Sequence, residues 1–257
     1  MKKISLILLI GIALFSTLAC GLFTALTGGS DSEPDSEPDT VVLQPAEDED
    51  VEVIEEEPEV EPEQEGLSQS GVVLFSDDFS NPNSGWDRND WDNGFTDYVD
   101  DAYQISVKRE NYDIWTNPYL NFEGDVRVEV DASKVAGDFD DNYGILCRYS
   151  GAASSPSYYF FYISSDGFAV IGKVIDGETT YLSGEQMDYS DAINQGVATN
   201  HLRADCVGST LTFYVNGELV AATSDSSLTD GDVGLDGGTF AATSATFQFD
   251  NFVVYQP

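Results

Sequence analysis

Asp125-Val-Arg-Val-Glu-Val-Asp131 puts Val126, Val128 and Val130 on one side of an extended chain and Arg127, Glu129 and Asp131 on the other. Such strict alternation is the mark of a strand with one buried and one solvated face. Working outward, short alternating or aromatic runs recur at Val72–Phe75, Tyr103–Lys108, Tyr143–Tyr149, Tyr158–Ile163, Phe168–Val174 and Thr179–Leu182. His201–Cys206, Leu211–Val215, Leu219–Ala222 and Ala245–Tyr255 continue the series. Ser165-Asp166-Gly167, Asp176-Gly177 and Asn216-Gly217 supply hairpin turns, because these residues tolerate positive φ. Ser183–Thr199 is the longest stretch without a strand, and one short helical turn is expected there at Asp191–Asn194. No amphipathic helix of useful length is present. The predicted fold is all-β, two antiparallel sheets packed as a sandwich.

Upstream of residue 67 the composition changes. Lys2-Lys3 followed by an apolar run from Ile4 to Ala19 has the layout of an export signal. Ser16-Thr17-Leu18-Ala19-Cys20 resembles a bacterial lipobox, with Cys20 the expected lipid attachment site, although Thr17 stands where leucine is commonest. An uncleaved helix over Ile4–Leu26 is the alternative, since about 20 apolar residues span a bilayer. Either anchor leaves the rest of the chain extracytoplasmic, with the lysines inside. The expected organisation is a signal segment over 1–20, a disordered acidic stalk over 21–66 and a β-sandwich domain over 67–257. The stalk carries a repeated Asp-Ser-Glu-Pro and too few apolar residues to offset the entropy of ordering. As a flexible coil it would reach roughly 35–40 Å, and further when its charges repel.

The 257-residue chain has a formal net charge of −37. Residues 31–65 hold 17 acids and no lysine or arginine, yet the β-sandwich region is strongly acidic as well. A surface of that sign repels phosphate, so nucleic acid is not an expected partner, and no basic patch offers itself to anionic lipid.

Several longer stretches resemble a known set. They are Leu74-Phe-Ser-Asp-Asp-Phe-Ser-Asn-Pro-Asn-Ser-Gly-Trp86, Tyr143-Gly-Ile-Leu-Cys-Arg148 and Asn200-His-Leu-Arg-Ala-Asp-Cys-Val-Gly208. Phe213-Tyr-Val-Asn-Gly217, Asp232-Val-Gly-Leu235 and Phe249-Asp-Asn-Phe-Val253 complete it. In order and spacing these are similar to the concanavalin A-like lectin/glucanase superfamily, near the branch of the 3-keto-disaccharide hydrolase domain. The resemblance covers about residues 72–256 and implies a two-sheet jelly roll. It does not imply one function, because that fold carries lectins, hydrolases and inert spacers.

No catalytic residue is assigned. Glu129-Val-Asp131-Ala-Ser-Lys134 resembles the Glu-x-Asp-x-x-Glu strand of jelly-roll endoglucanases, but Lys134 replaces the last carboxylate, and Glu129 and Asp131 read as the wet side of a valine-backed strand. His201 is the sole histidine and no Gly-x-Ser-x-Gly elbow exists, which argues against a serine triad and a histidine–cysteine zinc site. A carbohydrate platform is expected from Trp86, Trp91 and Trp115 with Asp87, Asp90, Asn93 and Arg148, since sugar rings stack on aromatic faces. Core packing is the competing role for each of these rings. Calcium is a possible structural cofactor, with oxygen ligands from Asp77, Asp78, Asp250 and Asn251, or from Asp138, Asp140 and Asn142. Turn-capping explains the same residues.

With Cys20 assigned to lipid, Cys147 and Cys206 remain in a compartment that permits disulfides. Alternation turns both inward, Cys147 with Ile145 and Tyr149, Cys206 with Leu202 and Ala204. A bridge is expected; two buried free thiols are the alternative. The functional expectation is a surface-displayed, non-catalytic module that binds carbohydrate or another envelope ligand. The alternatives are a glycoside hydrolase of the 3-keto-disaccharide type and a structural or adhesion component.

Overall fold

The valine ladder of residues 126–130 lies at the middle of the larger of two sheets. The computed structural model describes residues 71–257. The signal segment, Cys20 and all of the stalk lie outside the described residues. The strands are β1 (Val72–Asp77), β2 (Asn89–Trp91), β3 (Gly94–Val99), β4 (Ala102–Val107), β5 (Tyr112–Thr116), β6 (Val126–Ala136), β7 (Asn142–Ala152) and β8 (Ser155–Ser164). They continue as β9 (Phe168–Ile175), β10 (Glu178–Tyr181), β11 (Asp188–Tyr189), β12 (Thr199–Val207), β13 (Thr210–Val215), β14 (Glu218–Ser224), β15 (Asp232–Thr239) and β16 (Ala245–Gln256). Among the described residues there is no helix.

The first sheet runs β14-β13-β12-β6-β16-β4-β3-β2, with β1 also on β16. The second runs β10-β9-β8-β7-β15-β5, with β11 on β9. The ladders within each sheet are antiparallel, as the hairpin turns demand. Asp176-Gly177 and Asn216-Gly217 have positive φ at both positions, 51° and 87° in one and 52° and 86° in the other. That is the geometry whose twist matches paired strands.

Between the sheets lies one apolar core. Val126, Val128, Val130, Leu202, Phe213, Phe247, Phe249 and Phe252 face it from the first sheet. Tyr143, Ile145, Phe161, Ile163, Ile171 and Leu235 face it from the second. Each such side chain removed from water stabilises the fold by about 1.5–3 kcal/mol. Phe249 and Phe252 both point inward, although three residues apart, because a bulge at Asp250–Asn251 shifts the register.

Cys147 on β7 and Cys206 on β12 are joined across the sandwich as a disulfide, with Cα atoms 7.0 Å apart. The same corner departs from simple alternation. Arg148 has φ 53°, and the β7–β8 register shifts between Cys147 and Ser150. The bulge sends Arg148 inward after Cys147 and turns Tyr149 outward, so Tyr149 does not share a face with Ile145. At Asp191–Asn194 the chain makes a single turn, closed by the Ile193 amide donating to the Ser190 carbonyl at 3.4 Å.

Candidate functional site

The outer face of the second sheet is where sandwich alternation would place polar residues, yet it holds a second apolar cluster. Leu146, Tyr158, Phe160, Tyr162, Val170 and Val174 form it, with Trp115, Tyr149 and Met187 against them. The registers explain the arrangement. Asp236 on β15 pairs with Trp115 on β5 and Gly144 on β7, and Gly144 pairs with Tyr162 on β8. These four residues therefore share one row on one face. In the next row Phe160 lies over Gly172, where a Cβ would come 2.1 Å from the ring. Glycine there lets Phe160 lie flat and stack on Tyr162, centroids 4.5 Å apart.

Two recesses open on this face and share Asp113. The larger, about 740 Å³, is lined by Asp87, Trp91, Asn93, Asp113, Trp115 and Tyr119 among others. The smaller, about 160 Å³, lies between Asp113, Tyr158, Phe160, Tyr162 and Tyr181. Trp91, 46% exposed, is presented by the β2–β3 hairpin, while Trp115 lies on β5. The Trp115 indole N–H donates to the Tyr149 hydroxyl at 3.3 Å. Tyr149 stacks on Tyr158 at 5.9 Å.

Tyr119 sits in a loop where it and Asn121 have φ of 60° and 52°, a conformation unusual for a residue as bulky as tyrosine. Its hydroxyl donates to the Asp87 carboxylate. Partial burial and that carboxylate push the phenol up to about 12. Asn117 donates to Asp232 at 2.6 Å.

Asp113 and Asp236 lie diagonally across the β5–β15 ladder, since Asp113 pairs with Gly238 and Trp115 with Asp236. Asp113 is solvent-accessible but recessed; the surrounding protein atoms raise its carboxyl above the ordinary range, against a weak hydrogen bond from Asn142 at 3.4 Å. Asp236 is fully buried and neither carboxyl oxygen has a hydrogen-bond partner. Burial, then the charge of Asp113, push it well above the carboxylate range. The Tyr162 hydroxyl is close enough to influence it without reaching hydrogen-bond geometry.

Of the expected platform, Asp87, Trp91, Asn93 and Trp115 come together in the larger recess. Three residues do not join them. Trp86 is buried in the core against Phe79, Tyr103 and Phe252, with centroids 5.4, 5.4 and 5.0 Å away. Asp90 alternates to the other side of β2 and lines a separate hollow with Arg88, Phe95 and Lys108. The inward-turned Arg148 guanidinium donates to the carbonyls of Cys206, Gly208 and Leu228 at 2.8–3.2 Å, which makes it a structural clamp. Sequence reading missed Asp113, Asn117, Tyr119, Tyr149 and Asp236. Only Asp113 had an available signal, its place two residues from Trp115 in an alternating run.

The candidate calcium ligands fare differently at the two places. The Asp138–Asn142 loop wraps the buried ammonium of Lys134, which donates to the Asp138 carbonyl and lies 3.3 Å from Asp141. A lysine already supplies the cation there, and Asn142 is turned toward Asp113, so Asp138, Asp140 and Asn142 do not fit a metal set. Asp77, Asp78 and Asn251 line one shallow hollow, and the buried Oδ2 of Asp77 has no partner. Asp250 is not part of that lining; its carboxylate accepts the Asn251 amide at 2.7 Å. No group of three or more His, Cys, Asp or Glu among the described residues is arranged to hold a metal.

Glu129 and Asp131 lie on the first sheet, away from the cleft, and flank His201. Asp131 is 2.8 Å from Nδ1 and Glu129 is 3.7 Å from Nε2. The nearby Glu129 carboxylate, then the hydrogen-bonded Asp131, raise the imidazole to about 9 despite partial burial.

Solved structures share this architecture at low sequence identity. The carbohydrate-binding module CBM66 from Bacillus subtilis aligns with TM-score 0.53 and 17% identity, over 67% of this chain and 96% of that one. Bacillus licheniformis beta-glucanase aligns at 0.52 and 15%, over 74% and 100%. The kappa-carrageenase from Pseudoalteromonas carrageenovora aligns at 0.52 and 10%, over 76% and 98%. No family model matches the sequence, and no curated protein matches it. With the two-sheet topology, these likenesses establish the fold: the described domain is a two-sheet antiparallel jelly-roll sandwich like theirs.

Proposed function

We propose that the protein is a non-catalytic binding module for a carbohydrate, displayed outside the cell membrane on its N-terminal anchor. The observation that carries this reading is the trough on the second sheet, where Trp91, Trp115 and Tyr119 converge with Asp87, Asn93 and Asn117. Flat apolar faces match the C–H faces of a pyranose, and carboxylates and amides accept and donate to its hydroxyls. A solved structural neighbour named as a carbohydrate-binding module adds support. The test is a glycan array probed with the whole chain, followed by Trp91→Ala and Trp115→Ala. Each variant should weaken binding by about tenfold or more, the loss expected for one stacked ring. For the anchor, Cys20→Ser should abolish fatty-acid labelling.

A glycoside hydrolase is the second reading, favoured by one observation, the raised carboxyl of Asp113 beside Asp236 in the trough. Hydrolysis needs two carboxyl groups that both reach the glycosidic bond. Asp236 is wholly covered, which is why binding is preferred. Release of reducing ends from a bound glycan, abolished by Asp113→Asn, would reverse that preference. Calcium is proposed only at the Asp77, Asp78 and Asn251 hollow, as a structural ion; a chelator should then lower the melting temperature.

A further inference from the structure

Several buried carboxylates of the domain are paired with cations, whereas those that line the trough are not. Asp205 meets Arg127 at 2.8 Å and Arg203 at 2.6 Å, Asp225 meets Lys173 at 2.6 Å, and Asp141 meets Lys134. In the larger recess Asp87, Asp113 and Asp232 all line the wall, without a lysine, arginine or histidine among the lining residues. Asp232 is satisfied by the Asn117 amide and the Val233 backbone. Asp87 receives only the Tyr119 hydroxyl on its carboxylate, and Asp113 only the long contact from Asn142. Behind them Asp236 is fully buried with both oxygens unpartnered, on the same face as Trp115.

Carboxylates held among protein atoms without a cation cost stability, and such arrangements concentrate where a ligand completes them. The walls favour the same sign of ligand. Aromatic faces are negative at the centre of the ring and attract cations, tryptophan most strongly. A sugar that is merely neutral would leave the acids uncompensated, and a uronate or sulfated sugar would be repelled.

We propose that the trough selects a cationic glycan, a chain of sugars bearing free amino groups, with Asp87 and Asp113 accepting the ammonium hydrogens while the rings stack on Trp91 and Trp115. This rests on the carbohydrate reading above and narrows it. Charge-assisted contacts of this kind are about twice as strong as neutral ones, so the amine dominates selectivity.

An acidic domain attracts any polycation through its overall field, so the test uses short ligands at physiological salt, where the screening length is about 8 Å. The whole chain is titrated calorimetrically with a glucosamine trimer, its N-acetylated counterpart and a glucose trimer. The amino trimer should bind about tenfold or more tightly than either neutral trimer. Asp87→Asn and Asp113→Asn should each weaken binding of the amino trimer more than binding of the neutral trimers, and so remove most of that preference. Glu218→Gln, an exposed acid on the first sheet, should change nothing. Equal or tighter binding of the neutral trimers overturns the proposal and leaves the carbohydrate reading standing. So does a Glu218→Gln loss as large as that of the trough variants. Binding of none of the three overturns both. The comparison among trimers uses the unaltered protein, so it decides the matter even where a variant folds poorly.

Discussion

The outer faces of the two sheets both carry acids but handle them in opposite ways. On the first sheet the charges satisfy one another: Arg127 and Arg203 share Asp205, and His201 bridges Glu129 and Asp131, with the Asn251 amide on Asp131 at 2.9 Å. On the second sheet aromatic rings replace the usual polar cover, and Asp113 and Asp236 are left without a cation. A face whose charges are already paired has little to offer a ligand. A face with exposed rings and uncompensated acids is incomplete by itself. The proposed binding surface rests on this difference and not on sequence motifs.

Breaking a buried pair should hurt far more than altering the unpaired face. Lys134→Met would strand the fully buried Asp141 carboxylate without its ammonium. A loss of about 3–5 kcal/mol is expected in chemical denaturation. Asp113→Asn on the cleft face should leave stability within about 1 kcal/mol of the parent. Equal losses at the two positions would erase the distinction between the faces.

Next in size is the staple between the sheets. Reduction of Cys147–Cys206 should lower stability by about 2–4 kcal/mol, because it frees a closed loop of close to 60 residues in the unfolded chain. Alkylation of the folded, unreduced protein should find neither thiol. Rapid labelling of both would mean that the corner holding Arg148, and the outward turn of Tyr149 that depends on it, is differently built.

The smallest effect sharpens the account of the paired face. His201 is raised from 6.5 to about 9 by Glu129 and Asp131. The stability it contributes is therefore complete below pH 6.5 and lost as pH rises through 9. Its side chain is 47% exposed, so screening holds the contribution to about 1 kcal/mol or less. The melting temperature of His201→Gln should lie below that of the parent at pH 6 and converge with it by pH 10. A constant gap across that range would mean the imidazole contributes packing and no charge.

The legible part of the fold was the part with regular alternation. β6, β12 and β13 read directly because Val126, Val128 and Val130, then Leu202, Ala204 and Cys206, then Leu211, Phe213 and Val215 alternate as buried apolar residues. β15 did not, because Asp232-Val-Gly-Leu-Asp-Gly-Gly-Thr239 lacks the bulk that marks a strand. Its glycines are occupied by neighbours: a Cβ at Gly237 would come 2.4 Å from Phe247, and one at Gly238 would come 1.8 Å from the Asp113 carboxylate. β2, β3 and β5 were hidden too, being short or interrupted by Asp and Asn. These unread strands carry much of the site.

Among the site residues, Trp91 and Trp115 were distinguishable from Trp86 only by position, since Trp86 closes the core against Phe252. Arg148 and Tyr149 exchanged roles through one bulge, which no periodicity can announce.

The central claim is that the aromatic face of the second sheet holds the ligand while the core tryptophan holds the fold. The most direct measurement is parallel titration and thermal melting of Trp86→Ala, Trp91→Ala and Trp115→Ala in the whole chain, against the best glycan from the array. Trp91→Ala and Trp115→Ala should lose binding while the melting temperature falls by no more than about 4 °C, and Trp86→Ala should lose about 3–5 kcal/mol of stability. Undiminished binding in both Trp91→Ala and Trp115→Ala would contradict the account.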